Sequence, residues 1–378
     1  MGKRLQDTSP NPLPPEATGA PPSGTSILFK VLSAGFTGAL LVLLIVWFRN
    51  QIGTYGETIS QAISDLTWVE IVLLVIAGLV IMTLNGMAMK TPLQGIDTKQ
   101  AFVAQQSASA VSNVIPGPSG TAARFAILHS WGVGVEDFTR GTVAVSIWNN
   151  VIMISMPGLA FLALAITGDT GTSGVRLLLL AAGALLVSVI AIAVVVGALR
   201  SERFARWLGR VTQRCVNPFR RLFRRKPVTG LDDATAELRQ RTVDILAERK
   251  ARLTAITLSA YWLSGVLLVV CLWLSGVPYS ELTMVTGLAL YSVGRFLTII
   301  QVTPGGVGVV EVVYVALFML VVPEQYNAQV VAGIVIYRIL TYALPIFVGG
   351  GTYLVWRRMR AREKRSEPGS ADLAGASS

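Results

Sequence analysis

The apolar stretch 281–322 is broken at residues 302–308 by the sequence Val-Thr-Pro-Gly-Gly-Val-Gly. A second apolar stretch, 100–132, is broken at residues 114–120 by Val-Ile-Pro-Gly-Pro-Ser-Gly. Proline removes a backbone hydrogen-bond donor and clashes with the preceding turn, and adjacent glycines weaken the preference for helix. Each stretch is therefore predicted to form two short helices joined by an unwound elbow. The elbow residues are Pro116, Gly117, Gly120, Pro304, Gly305, Gly306 and Gly308.

The composition of the whole chain indicates a membrane protein. Its 378 residues are 52% apolar and only 14% charged, whereas soluble domains carry about 25% charged residues. Helices of about 20 apolar residues cross a bilayer core of roughly 30 Å. The predicted fold is an all-α polytopic membrane protein with two Pro/Gly-broken hairpins and about six full transmembrane helices, at 27–48, 67–89, 138–167, 174–199, 251–276 and 327–356.

The distribution of basic residues predicts the orientation in the cell membrane. The chain has a net charge of +11, and fifteen Lys and Arg residues lie between Arg200 and Arg252. The positive-inside rule places the loop 200–250, the tail 358–378 and the amino terminus in the cytoplasm. Counting the spans from the amino terminus then predicts that 100–132 is a re-entrant hairpin that starts and ends on the cytoplasmic side. Residues 281–322 start and end outside, as a second hairpin or as two spans.

The two elbows match each other at an offset of 188 residues, and the same offset roughly superposes the flanking spans. We interpret this as an inverted repeat, the plan by which many transporters form a central site. Two independent Pro/Gly kinks are the alternative. The predicted organisation is a disordered Pro-rich tail 1–26, a first membrane half 27–199, the basic loop 200–250 with an amphipathic helix, a second membrane half 251–357, and the basic tail 358–378.

Both elbow regions resemble the motifs of one family. Asn113 to Gly120 with Arg124 resembles the amino-terminal motif of the lysylphosphatidylglycerol synthase transmembrane, or flippase-like, family. Its carboxy-terminal motif is similar to the sequence from Thr303 to Glu311, which is followed by Tyr337-Arg338 and Leu344-Pro345. The resemblance covers about residues 27–357. It implies a protein that moves lipids or lipid-linked intermediates across the bilayer, here without the soluble aminoacyl transferase domain of some relatives.

One position departs from the family pattern. Many relatives have Glu directly after the glycine of the first motif, and this chain has Thr121 there. The resemblance therefore does not predict a carboxylate at this position.

Four ionisable residues lie within apolar segments: Arg124, Arg295, Glu311 and Arg338. A charge at the bilayer centre costs about 2.5–3.5 kcal/mol on insertion scales, so each needs a partner. Glu311 and Arg338 can pair, as a structural clamp or as part of a site. The two remaining arginines suit a phosphate, which accepts paired hydrogen bonds from guanidinium groups; snorkelling to the interface is the alternative. The predicted substrate-binding residues are Arg124, Arg295, Arg338, Glu311 and Asn113.

The helix breaks add a second source of positive potential. Half-helices starting at Ser119 and Gly306 are predicted to aim free N–H groups at the same region.

The predicted function is an inner-membrane, flippase-like transporter of a phosphate-bearing lipid or lipid-linked intermediate. A small-solute or ion transporter or channel, and a scaffold for a glycosyltransferase or lipid-modifying enzyme, are the alternatives. Two cysteines and one histidine exclude disulfide-rich and multi-histidine metal sites. No catalytic residue, cofactor, metal or nucleic-acid partner is expected. Anionic or phosphate-bearing membrane lipids are the expected partners, with a homo-oligomer or a lipid-modifying enzyme left open.

Overall fold

The computed structural model describes residues 53, 55–93, 95–115, 118–167, 174–222, 230–299 and 303–366. Within these ranges the chain is helical and contains no β-strand, which confirms the predicted all-α class. The predicted tail 1–26, the predicted span 27–48 and the elbow residues Pro116 and Gly117 lie outside the described residues.

The helices follow the predicted segments in order. A π-helical turn, Ile339–Ala343, joins the last two helices, and short 3₁₀ turns lie at Pro304–Gly306 and Glu324–Tyr326. The helices are α1 (55–64), α2 (Trp68–Lys90), α3 (Thr98–Val114), α4 (Ser119–His129), α5 (Val135–Thr167), α6 (Gly174–Arg200), α7 (Glu202–Leu222), α8 (Leu231–Leu274), α9 (Met284–Leu297), α10 (Val309–Met319), α11 (Asn327–Arg338) and α12 (Leu344–Ser366).

Four segments of the described chain are long and apolar enough to cross a membrane, and each matches a predicted span. They are Trp68–Lys90, Val135–Ile166, Arg249–Leu274 and Glu324–Ala361. The bent pair formed by the end of α6 and α7 would be a fifth if it counts as one span. The chain is therefore a multi-pass membrane protein.

The helix α8 begins well before the predicted span 251–276. It is one continuous helix of 44 residues from Leu231, so it includes the end of the predicted loop 200–250. The basic helix α7 packs against it: Thr235 Oγ1 donates a 2.9 Å hydrogen bond to the carbonyl oxygen of Ala205. Ala205 is buried, whereas Arg206 and Trp207 are exposed. The amphipathic character of α7 remains a prediction.

Both predicted hairpins are present as helix pairs: α3 with α4 (the first hairpin) and α9 with α10 (the second hairpin). Each also packs against a helix of the other half of the chain, α3 against α12 and α9 against α5. The α3–α12 crossing is close, since a Cβ atom on Gly349 would lie only 2.1 Å from the carbonyl oxygen of Gln106. Small residues permit such approaches between membrane helices.

The apolar core has two main parts. The larger lies among α8 to α11, around fully buried side chains such as Leu268, Tyr314 and Phe318. The smaller lies among α2, α3 and α4, around Met89, Ile127 and Leu128. A polar cavity lies beside the larger part and shares Tyr291, Tyr314 and Tyr337 with it.

Candidate functional site

A cavity of about 370 Å³ lies between the two hairpins and the long helices α2, α5, α8 and α11. Its wall is polar, which is unusual for a region enclosed by apolar spans, and none of its described lining residues carries a carboxylate. Such polar interiors in membrane proteins mark functional sites by default. The lining includes Asn85, Gln105, Asn113, Asn149, Tyr261, Tyr291, Arg295, Tyr314, Tyr337, Arg338 and Tyr342.

The second elbow shapes one wall of the cavity through its glycines. Gly305, Gly306 and Gly308 have φ angles of 58°, 70° and 82°, which residues with a side chain rarely adopt. A Cβ atom on Gly305 would also lie 2.3 Å from Cε2 of Tyr342 and 2.9 Å from Oδ1 of Asn113. Glycine is therefore required at position 305 both for its backbone conformation and for the space it leaves.

At this point the first hairpin meets both the second elbow and the π-helical turn that follows α11. The Tyr342 hydroxyl donates a 3.0 Å hydrogen bond to the carbonyl oxygen of Asn113, which lies beside the first elbow. Asn113 Nδ2 donates in return to the carbonyl oxygen of Tyr342 at 3.5 Å. Asn113 therefore lies next to the second elbow and in the cavity wall, and its role in substrate binding remains a prediction.

The predicted ion pair between Glu311 and Arg338 is confirmed. Arg338 Nε lies 2.6 Å from Glu311 Oε1, and the two side chains are only 13% and 7% exposed. The other carboxylate oxygen accepts a 2.6 Å hydrogen bond from the N–H of Gly308, and Arg338 Nη2 donates to the carbonyl oxygen of Gly305 at 3.2 Å. The pair thus fastens α11 to the second elbow while Arg338 still reaches the cavity.

The predicted helix terminus at Gly306 is wrong. The half-helix α10 begins at Val309, because the left-handed glycines before it cannot continue an α-helix. Glu311 reaches back to the Gly308 N–H, so the chain's own carboxylate fills the terminus that was predicted to face a ligand. In the first hairpin α4 does begin at Ser119, as predicted.

Arg295 is the cationic group of the cavity that has no counterion. Its guanidinium carbon lies 5.3 Å from the centre of the Tyr261 ring, and its Nε atom is buried without a hydrogen-bond partner. Within the described ranges it forms no ion pair. The hydroxyl of Tyr314, another lining residue, is also buried without a partner. A buried charge in this state needs an anion for compensation.

Arg124 is not among the described residues that line the cavity. Its Nη1 atom lies 3.8 Å from the sulfur of Met89 on α2, and its Nε atom is buried without a partner. The predicted convergence of Arg124 and Arg295 on one phosphate is therefore not observed. The rotation of α4 about its axis directs Arg124 towards the smaller core instead.

Five tyrosines of the described chain line the cavity wall, and none of them is among the predicted substrate-binding residues. Tyr291 lies four residues before Arg295, Tyr314 three after Glu311, and Tyr342 four after Arg338. These spacings place each ring on the same helix face as a charged residue. The spacing of tyrosine from a charged residue was the sequence signal for these wall residues. Hydropathy alone did not indicate them, because tyrosine is also common in apolar cores.

The fold and cavity define a polytopic helical membrane protein with a cationic, polar central site. The sequence matches the family model for the lysylphosphatidylglycerol synthase TM region over residues 20–349, and the chain belongs to that family. The family connects it with membrane lipid metabolism or transport. A search of curated proteins finds no match to the chain.

Proposed function

We propose that the chain is a flippase-like transporter that carries the headgroup of a phosphate-bearing lipid, or lipid-linked intermediate, through the central cavity. The observation that carries this proposal is the unneutralised guanidinium of Arg295 inside a polar cavity among membrane spans. A phosphate would supply the missing negative charge and accept two parallel hydrogen bonds from the guanidinium. The lipid tail would stay in the bilayer, and no catalytic step is needed.

The packing of the helices supports an inverted repeat as the basis of transport. In such a repeat α2 corresponds to α8, the first hairpin to the second, and α5 to α11 with α12. The contacts follow this correspondence, since α3 packs on α12 while α9 packs on α5. Sites at the interface of such repeats open to each side in turn when one repeat rocks against the other.

The proposed orientation has six full spans, with the amino terminus, the loop 200–250 and the carboxy terminus in the cytoplasm. Single cysteines at the exposed positions Val135 and Gln325 test it, in a background lacking Cys215 and Cys271. An impermeant thiol reagent should label position 135 only from the cytoplasmic side and position 325 only from the opposite side. Labelling of both from one side would overturn this topology.

Transport itself is tested with the full chain in vesicles that contain a fluorescent phosphatidylglycerol, read out by quenching from outside. Arg295→Gln should abolish most of the movement, and Arg295→Lys should retain part, because an ammonium keeps the charge but loses the paired geometry. Arg140→Gln is the control, because its side chain is 45% exposed and pairs with Glu136 on its own helix.

Two results would favour the alternative functions. Passage of inorganic phosphate without movement of lipid would favour a small-solute transporter. A cellular phenotype that survives Arg295→Gln would favour the scaffold. Separately, lipid movement at the unmodified rate by Arg295→Gln would contradict the proposed role of the cavity.

A further inference from the structure

The cavity also carries information about the headgroup it accepts, and this inference rests on the proposed function. We propose that it selects a headgroup of net negative charge that carries hydroxyl groups, and that it rejects one carrying an ammonium group. The lysyl ester in the family's name is of the rejected kind, so this chain would transport a different lipid from the one that the name describes.

The first argument is the charge of the cavity wall. Its charged lining residues, as far as the structure describes them, are Arg295 and Arg338. The carboxylate of Glu311 binds Arg338 at 2.6 Å and also accepts the Gly308 N–H, so it is already fully engaged. One positive charge therefore remains on Arg295. A second cation brought close to it in a low-dielectric site is repelled strongly.

The second argument concerns the tyrosine rings, because aromatic faces can attract an ammonium group. Here the faces are occupied by the protein's own groups. Arg295 lies over Tyr261 at 5.3 Å, and Arg338 lies over Tyr342 at 4.9 Å. Tyr291 and Tyr314 stack on each other, with ring centres 5.9 Å apart and an angle of 5° between the planes.

The fifth ring is engaged as well. Tyr337 packs edge-on against Tyr314, and its hydroxyl shares a 2.9 Å hydrogen bond with Ser264. Two of the five rings therefore already hold an arginine, and the other three pack against one another, which leaves fewer faces for an ammonium group.

The third argument is the type of polar group that remains open. The side-chain amides of Asn85, Gln105 and Asn149 line the cavity and form no hydrogen bond to another described side chain or backbone group. A carboxamide offers both donors and acceptors, which matches a hydroxyl group. Together with the free hydroxyl of Tyr314, these groups suit a polyol such as glycerol, inositol or a sugar.

The test compares two lipids that differ by a lysyl ester, which adds two ammonium groups and removes one free hydroxyl of the glycerol headgroup. The full chain in vesicles is given fluorescent phosphatidylglycerol or fluorescent lysylphosphatidylglycerol, and the rates of movement are compared. Because juxtaposed like charges oppose binding strongly, we expect phosphatidylglycerol to move at least about tenfold faster. Gln105→Glu should reverse the preference by adding a carboxylate to the wall. Gln325→Glu, at an exposed position outside the cavity lining, is the control and should leave the ratio unchanged.

Equilibrium binding of the same two lipids to the full chain in detergent separates this inference from the proposed function. Preferential binding of phosphatidylglycerol without any transport would overturn the proposed function and support the inference. Equal binding of the two lipids, or an unchanged ratio in Gln105→Glu, would overturn the inference whatever the transport result.

Discussion

The two hairpins share a broken backbone but differ in charge. At the offset of 188 that superposes the elbows, Arg295 corresponds to Ser107, Glu311 to Ala123 and Arg338 to Asn150. These three charged residues of the second half therefore have neutral counterparts in the first. The first hairpin instead contributes the amides of Gln105 and Asn113 to the cavity wall.

The first hairpin is held by packing and neutral hydrogen bonds. Gln106 Nε2 donates a 2.7 Å bond to the carbonyl oxygen of Met82, and Ser107 bonds Thr352 at 3.1 Å. The helix break is therefore an architectural feature of both halves, whereas the described charged residues that line the cavity come from the second half, since Arg124 of the first hairpin is not among them. The following predictions test this difference between the two halves.

The largest effect is expected from separating the ion pair. Arg338→Gln leaves the Glu311 carboxylate without its cation in a low-dielectric region, so the free energy of unfolding should fall by about 3–5 kcal/mol. The double variant Glu311→Gln/Arg338→Gln should recover much of that loss. Denaturant titration in detergent measures both.

The matched change in the first half is Asn150→Ala. Asn150 is exposed, and its Nδ2 donates a 2.9 Å hydrogen bond to the Ser146 carbonyl oxygen of its own helix. Its replacement should change the free energy of unfolding by no more than about 0.5 kcal/mol. A loss of unfolding free energy as large as that of Arg338→Gln would contradict this difference between the two halves.

The second effect is at the junction of the elbows. Gly305→Ala places a methyl group against Tyr342 and Asn113, which should cost about 1–3 kcal/mol in addition to the strain of a left-handed φ. Gly132→Ala is the control, since Gly132 has a φ of 89° but nothing within 4 Å of its Cβ position. It should lose only the conformational cost of roughly 1–2 kcal/mol. Equal losses would mean that the elbows do not touch.

The third prediction examines the packing that holds the first hairpin. Gly349→Ala forces α12 away from the Gln106 carbonyl oxygen, and overpacking of this kind costs about 1–3 kcal/mol. Gly350→Ala, whose Cβ position is open, should instead stabilise α12 by up to about 1 kcal/mol. Thermal unfolding of the two variants side by side measures the difference. Similar midpoints would show that α3 and α12 are not in close contact.

The smallest effect is expected for the hydrogen bond that links the first hairpin to the π-helical turn 339–343. Tyr342→Phe removes the bond to the Asn113 carbonyl oxygen but keeps the ring against Arg338, so it should cost about 1 kcal/mol. The control is Tyr279→Phe, at a residue that is 65% exposed, with an expected change within about 0.5 kcal/mol. Unfolding in detergent should rank the two variants in this order.

Hydropathy and charge predicted a large part of this architecture. The span 67–89 corresponds to Trp68–Lys90, and 251–276 contains most of the apolar part of α8, because lipid-facing helices need long apolar runs whatever their neighbours are. The Glu311–Arg338 pair was predictable because a charge within an apolar segment is costly unless a residue of opposite charge pairs with it. The role of these residues in substrate binding remains a prediction.

The direction of Arg124 could not be predicted, because the rotation of α4 depends on packing. A Cβ atom on Gly120 would lie 2.7 Å from the Ala108 carbonyl oxygen, so this close contact fixes how α4 lies on α3. Spacing from Pro116 contains no information about it. The start of α8 was missed for another reason. Charges end the hydropathy signal near residue 250, but no proline interrupts the chain between Leu231 and Leu274, so the helix continues.

The helix α8 is unbroken, so a movement of its part beside the cavity is transmitted to its amino-terminal end outside the predicted span. Tyr261 and Ser264 touch the groups around Arg295 and Tyr337 inside the membrane, while residues 231–248 extend beyond the span by about 27 Å at 1.5 Å per residue. A tilt of about 10° at the span would displace Leu231 by roughly 5 Å over that arm. A distance measured from a label at the exposed Asp233 would therefore report, with amplification, on movements at the cavity.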